Sequence, residues 1–295
     1  MSMYIRSILA ISAAMVLSIS VTDAAGPTDP ISSDSAGNTA MGDNALLSLS
    51  GGSYNTAAGK NALQNNGSSN DKTADGYGAM ISMTTNSEGS NNTGVGYHTL
   101  FTSQATHYNT AVGYQALFST SYPGNTNTAI GSNALLLNTD GEDNSAIGWS
   151  ALGSNVSGNS NTAIGVNTLY INNSGLQNTA IGYYALYANF DGNNDTAIGT
   201  EALMHNTHGI NNTASGISAM YANVTGNNNT AFGADALYSN IDGDGNAAQG
   251  FNALYSNDHG YRNLGIGSDA LYNNTSGSYN IALGYAAGLQ PNHRP

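Results

Sequence analysis

The chain has no cysteine, so it holds neither a disulfide framework nor a thiolate metal site. Small secreted domains often lean on disulfides; this chain must depend on stacking and backbone hydrogen bonding instead. Positive charge is nearly missing too: 5 Lys and Arg stand against 18 Asp and Glu in 295 residues. A nucleic-acid ligand needs a basic face to neutralise its phosphates, and an anionic membrane surface asks for the same. Neither is an expected partner. After the N-terminus no stretch is apolar enough to cross a bilayer. Low charge with much Gly, Asn, Ser and Thr resembles the composition of disordered chains, but here aliphatic residues recur in register, which disorder does not require.

The N-terminus reads differently. Met1 to Arg6 carries one positive charge ahead of an apolar run from Ser7 to Ser20, and small residues follow at Thr22, Ala24 and Ala25. This is the pattern of a secretory signal peptide with cleavage after Ala24, and the run is shorter than the ~20 residues a membrane span needs. The expected organisation is a signal peptide at 1–24, a flexible segment at 25–35, a repeat domain at 36–288 and a tail at 289–295. That places the mature protein outside the cell or on its surface, with no membrane insertion after cleavage.

What the chain does have is one phrase, Asn-Thr-Ala-Ile-Gly-x-x-Ala-Leu-x-x-Asn-x-x-Gly-x-x, said repeatedly. Its fifth residue falls at Gly42, Gly59, Gly76, Gly96, Gly113 and Gly131, then every 17 residues from Gly148 to Gly284. That makes fifteen copies, with small insertions before Gly96 and Gly131. A unit this short cannot bury a core alone and must stack on copies of itself. The expected fold is all-β: a parallel β-solenoid, or β-roll, of about fifteen 17-residue turns. Rungs about 4.8 Å apart would give a rod on the order of 70 Å long, with an open pairing edge at each end.

The columns separate by chemistry. The third residue of each copy is Ala, or Gly at Gly94 and Gly265, and never larger. Such a column faces a tight space, where overpacking costs about 1–3 kcal/mol, so it is expected to point inward. Neighbours alternate faces in a strand, which puts the fourth column on the outside: Val95, Val112, Ile130, Ile147, Ile164, Ile181, Ile198, Phe232, Ile266 and Leu283. This column is a seam suited to meeting another subunit. Leu fills the ninth column from Leu46 to Leu271, with Met80 and Met220 standing in, and is expected to be buried. Aromatics collect in the sixth column (Tyr77, Tyr97, Tyr114, Trp149, Tyr183, Phe251, Tyr285) and the tenth (Phe101, Phe118, Tyr170, Tyr187, Tyr221, Tyr238, Tyr255, Tyr272). Positions six, nine and ten share helical spacing. The second half of each turn is therefore either a short helical turn, ended by Asn189, Asn206, Asn223 and their equivalents, or a second strand; seven residues do not separate the two. Asn opens most turns from Asn38 to Asn280, where it tolerates left-handed backbone and where stacked copies align their amides into ladders.

The phrases Asn161-Thr162-Ala163-Ile164-Gly165 and Asn178-Thr179-Ala180-Ile181-Gly182, with the Ala-Leu columns that follow, resemble the head repeats of trimeric autotransporter adhesins and of related tail-fibre-like secreted proteins. The resemblance covers nearly the whole mature chain. It implies a left-handed parallel β-roll, three chains side by side and binding to host or matrix surfaces. The repeat here is longer than that family's usual one, and the sequence closes on Leu289 to Pro295 with no stalk or membrane barrel. Anchoring by that family's own route is therefore not expected.

Candidate chemistry is thin. The histidines His98, His107, His205, His208, His259 and His293 are scattered; His205 and His208 have helical spacing for a shared metal, but no third ligand repeats near them. No Gly-x-Ser-x-Gly elbow sits between a strand and a helix, so neither an active site nor a cofactor is expected. Three acidic loops are the candidates for a bound ion, with Asp140 and Asp143, Asp191 and Asp195, and Asp242 and Asp244; their leading residues recur every 51 positions. Calcium takes several hard oxygens from one flexible loop, while plain Asp-Gly turns account for the same residues without an ion.

These observations point to a secreted, non-enzymatic structural protein whose partner is itself, assembling into extracellular fibres or matrix through its ends or its seam. The candidate assembly residues are Ile130, Ile147, Ile164, Ile181, Ile198, Ile281 and Leu283. The alternative is a surface adhesin, as a homotrimer, whose aromatic columns hold glycans or host and matrix surfaces. A minor alternative is ice binding, which rests on the second-column file from Thr39 to Thr230; it is a single file and is lost at Ala247, Leu264 and Ile281.

Overall fold

The computed structural model describes residues 32–82, 89–103, 106–121 and 123–289. The chain divides into two compact units, Met1–Pro30 and Ile31–Pro295. The first, which carries the signal-peptide reading of 1–24, lies outside the described residues, as do most of the 25–35 segment and the tail after Leu289.

Each Thr-Ala-Ile phrase forms one three-residue strand. After β1 (Ser32–Ser33) come β2 (Thr39–Met41), β3 (Thr56–Ala58), β4 (Thr73–Asp75), β5 (Thr93–Val95), β6 (Thr110–Val112), β7 (Thr128–Ile130) and β8 (Ser145–Ile147). The series continues with β9 (Thr162–Ile164), β10 (Thr179–Ile181), β11 (Thr196–Ile198), β12 (Thr213–Ser215), β13 (Thr230–Phe232), β14 (Ala247–Gln249), β15 (Leu264–Ile266) and β16 (Ile281–Leu283). All sixteen lie in one sheet in chain order. From β2 onward the pairing is parallel and like meets like: Ala180 lies between Ala163 and Ala197, and Ile181 between Ile164 and Ile198. The unit is a β-solenoid of about 14 turns with about 17 residues in each.

Alternation decides which side is the core. In β9, β10 and β11 the first residue is half-buried, the second buried and the third exposed. The third column therefore points inward and the fourth outward, as the sequence implies. Ala from the third and eighth columns and Leu from the ninth fill the interior, with Ala180, Ala185 and Leu186 fully buried.

No helix forms in the second half of the turn among the described residues. The reason is backbone handedness. Asn167, Leu169 and Gln177 have φ of 51°, 51° and 58°, and the same three positions are left-handed turn after turn. An L-residue in that region costs roughly 1–2 kcal/mol, and single left-handed residues at positions seven and nine break any helical path. The strain is offset by bonds between rungs: Leu169 N–H donates to Ala185 O at 3.0 Å and Ile171 N–H to Tyr187 O at 2.9 Å. The turn is thus stitched to its neighbours well beyond the three-residue strand. The corner at the fifth position has φ of 137° at Gly165, where an added Cβ would stand 2.5 Å from Gly182 O, so only glycine fits.

Asparagine supplies the polar half of the interior. The N–H of Asn161 donates to the side-chain oxygen of Asn144 at 3.0 Å, and its own amide donates to Gly175 O at 2.8 Å. A second file at position twelve does likewise, Asn172 donating to Asn155 Oδ1 at 2.7 Å and to the same Gly175 O at 3.0 Å. These residues are interior ladders, as the stacking of identical amides implies. They do not end helical turns, and the opening asparagines do not use left-handed backbone among the described residues. In the stretch with insertions, Ser103 and Thr120 replace the second file, and their buried hydroxyls lack partners among the described residues.

Two copies break the opening file with an ionisable group. Lys72 and Asp195 occupy the asparagine position, and both are fully buried. Lys72 Nζ donates to Asn66 Oδ1 at 2.9 Å. Asp195 accepts from Asn212 N–H at 2.7 Å and from the Asn206 amide at 3.0 Å. Asp195 is therefore not part of an acidic surface loop with Asp191, correcting the sequence expectation: neighbours in sequence here fall inside and outside the wall of the coil.

The two ends of the sheet differ. β1, which falls within the 25–35 segment, pairs antiparallel with β2 and covers the first rung. Asp34 supports it, its carboxylate accepting from the Asn38 N–H and amide, each at 2.9 Å. β16 is the outermost strand at the other end of the sheet.

Two predictions follow from this interior. Ala180→Leu should destabilise the protein by about 1–3 kcal/mol, and Ile181→Ser by roughly 0.5 kcal/mol, as a surface change does; thermal unfolding checks the order, and equal losses would contradict the assigned faces. The second concerns pH. Burial pushes the Asp195 carboxyl up from 3.8 to about 7 and the Lys72 ammonium down from 10.5 to about 7. Asp195 contributes most below pH 3.8 and loses its contribution as pH rises to about 7, whereas Lys72 contributes most above 10.5 and loses it as pH falls to about 7. Asp195→Asn and Lys72→Asn should each stabilise the fold near neutrality. The first gain shrinks toward acid and the second toward alkali, as unfolding measured across pH will show.

Candidate functional site

Three surface features carry chemistry. The first is the outer face of the sheet. Ile130, Ile147, Ile164, Ile181, Ile198, Phe232 and Ile266 of the fourth column are 37–46 % exposed, one per rung, with Ser215 and Gln249 interrupting the file. Across the glycine corner the sixth column adds exposed Trp149, Tyr183, Ile217 and Phe251. Only a glycine separates the two columns, and their apolar members make up one stripe, interrupted by Asp75 in the fourth column and by Asp43 and Lys60 in the sixth. At the last rung Ile281, Leu283 and Tyr285 are 74 %, 64 % and 80 % exposed.

The second feature is the set of aromatic files. Tyr221, Tyr238, Tyr255 and Tyr272 stack with ring centroids 5.0–5.1 Å apart and planes within 8°. Tyr77, Tyr97 and Tyr114 stack similarly at 5.5 and 5.2 Å. Ring faces within a file are covered by the next ring, which is the packing reading of these columns. A sugar would meet ring edges there, not faces.

The third is the acidic surface, and here the structure joins acids to histidines rather than to each other. His208 Nδ1 stands 2.6 Å from Asp191 Oδ1, and His259 Nδ1 stands 2.7 Å from Asp242 Oδ1. Each pair bridges adjacent rungs in the fourteenth column, a pairing legible from the 17-residue offset but missed because the loops were read along the chain. The bond to Asp242 is the main cause that holds the His259 imidazole above its ordinary 6.5. Asp140 accepts from Ser121 Oγ at 3.1 Å, Asp143 turns the chain at φ 56°, and Asp244 accepts from the Asn227 N–H at 2.6 Å. His205 meets the edge of Tyr221 at 4.8 Å instead of pairing with His208. Among the described residues no group of three or more acids and histidines is placed to hold a metal.

Beside the second Asp–His pair lies a groove of about 500 Å³, lined by Asn228, Asp242, Asp244, Gly245, His259, Tyr261, Arg262 and Tyr279. Gly245 creates it. The seventeenth column carries Asn228 before it and Arg262 after it, and the missing side chain between them opens the gap. Arg262 is fixed at the edge, Nη1 donating to the Tyr279 hydroxyl at 3.1 Å with the guanidinium 5.7 Å from that ring's centroid. Tyr261 and Tyr279 meet edge to face at 78° and 5.2 Å, unlike the stacked files. The sequence reading missed this site because it tracks the repeated columns, and the groove is made by departures from them.

Compared with protein-family models, curated proteins and solved structures, the chain matches none. Its function is therefore read from the geometry.

Proposed function

We propose that the chain is a secreted, non-enzymatic structural protein that assembles with copies of itself, side by side through the apolar stripe, into an extracellular fibre or matrix. The observation that carries this reading is the exposed file of Ile130, Ile147, Ile164, Ile181 and Ile198. Soluble monomers rarely expose contiguous apolar patches beyond a few hundred Å², and larger ones mark interaction surfaces. A partner covering this stripe must present apolar groups at the rung spacing, about 4.8 Å; a second copy does so by construction. The sequence resemblance to trimeric head repeats supports the same side-by-side arrangement, and the N-terminal pattern at 1–24 supports the extracellular setting.

A second reading, ice binding, gains one observation. Thr162, Thr179 and Thr196 are in register and emerge on the same face as Ile164, Ile181 and Ile198, making two regular files on one sheet. A thermal-hysteresis measurement separates it from assembly.

Sedimentation and negative-stain microscopy of the chain from Ala25 onward test the proposal. Association should strengthen with salt, because a net charge of −13 opposes it. Ile164→Lys, Ile181→Lys and Ile198→Lys should each weaken it by roughly tenfold, about 1.4 kcal/mol, with circular dichroism unchanged because these side chains face outward. A strictly monomeric protein at high concentration would overturn the reading, as would undiminished assembly of the triple variant.

A further inference from the structure

We propose that the groove at Gly245 binds a neutral saccharide, with a sugar ring against Tyr261 and Tyr279 and adjacent hydroxyls on Asp242, Asp244 and Arg262. The site is separate from the apolar stripe, which uses columns four and six, while the groove uses columns fourteen to seventeen.

Four observations converge. Gly245 removes one side chain from a column that carries one on both neighbouring turns, leaving a cleft where the wall is otherwise filled. Tyr261 and Tyr279 are exposed and meet edge to face, with the Arg262 guanidinium 5.7 Å from the Tyr279 centroid, so they do not stack on each other as the rings of the aromatic files do. The polar groups suit hydroxyls, which both donate and accept. Asp242 gives one oxygen to His259 and Asp244 gives one to Asn227; among the described residues the second oxygen of each has no hydrogen-bond partner. Arg262 spends one N–H on Tyr279 and has others to give. Charge then selects the class. Asp258 lies 3.3 Å from His259 Nε2 and adds a third carboxylate beside the single guanidinium, so an anionic sugar meets repulsion that a neutral one does not.

The test uses the chain from Ala25 onward, titrated calorimetrically with lactose, maltose, cellobiose and chitobiose, with sialyllactose as the anionic comparison. At least one neutral disaccharide should bind, with a dissociation constant on the order of 1 mM for so shallow a site. Gly245→Asn should abolish binding while folding normally: Asn228 already holds that column with φ 56°, and a Cβ at Gly245 meets Arg262 Cγ at an ordinary 3.5 Å. Tyr279→Ala and Asp244→Asn should each weaken binding by roughly tenfold, and Tyr77→Ala, in the distant stacked file, should leave it unchanged. Binding by none of the four neutral sugars, equal binding by Gly245→Asn, or preference for sialyllactose would each overturn the proposal.

Discussion

In this fold nearly every side chain has its own counterpart one turn above and one turn below, and that constraint governs the composition. Residues that satisfy themselves can fill a column. An asparagine both donates and accepts, so Asn144, Asn161 and Asn178 pass hydrogen bonds along the interior. Leucines pack on leucines, and tyrosines stack on tyrosines. Charge cannot do this: two like charges about 5 Å apart repel by roughly 1 kcal/mol in water and several times that where water is excluded. Scarce charge is thus a consequence of stacking. In three places an acid alternates with a basic partner one turn away: Asp43 lies 3.7 Å from Lys60, Asp191 against His208 and Asp242 against His259.

Lys72 and Asp195 are the exceptions that show how strict the rule is. Both sit where identical amides otherwise bond in series, and both are answered only by amides and backbone. From Asn127 to Asn263 each intact opening asparagine sends its amide to a glycine carbonyl fourteen residues on, as Asn178 does to Gly192. An ionised aspartate has no proton to send. Its Oδ2 accepts from the Asn206 amide instead, which also keeps its second-file bonds to Asn189 Oδ1 at 3.2 Å and Gly209 O at 3.0 Å. The burial that displaces both titrations toward neutrality comes from surroundings built for an uncharged amide.

The repeat made the parallel register and the faces of the strand readable, because a column holding only Ala and Gly can point only toward a tight space. Two features were hidden by physics that spacing does not encode. The spacing of positions six, nine and ten mimics a helix, yet leucine here adopts a left-handed conformation, with φ of 50° at Leu186. That is an uncommon choice for a branched residue, and only bonding between rungs sustains it. Asparagine, usually a turn residue, is buried here because a neighbouring amide is always in reach. The strand β1 belongs to no repeat, so no column could announce it.

The same logic divides the surface into two kinds of site. A feature present on every rung, such as the isoleucine stripe, recognises something with the same period, and another copy of the coil is the simplest such object. A feature that breaks the pattern recognises something discrete. The Asp–His pair occurs twice, 51 residues apart, yet the earlier copy is followed by Asn194 where the later has Gly245, and by Ile210 and Asn211 where it has Tyr261 and Arg262. One pair therefore stands on a filled wall and the other beside a gap faced by two aromatic rings and a guanidinium. The pair is part of the stacking rule; the glycine, the arginine and the unstacked tyrosines are departures from it, and those departures are what distinguish the groove as a site.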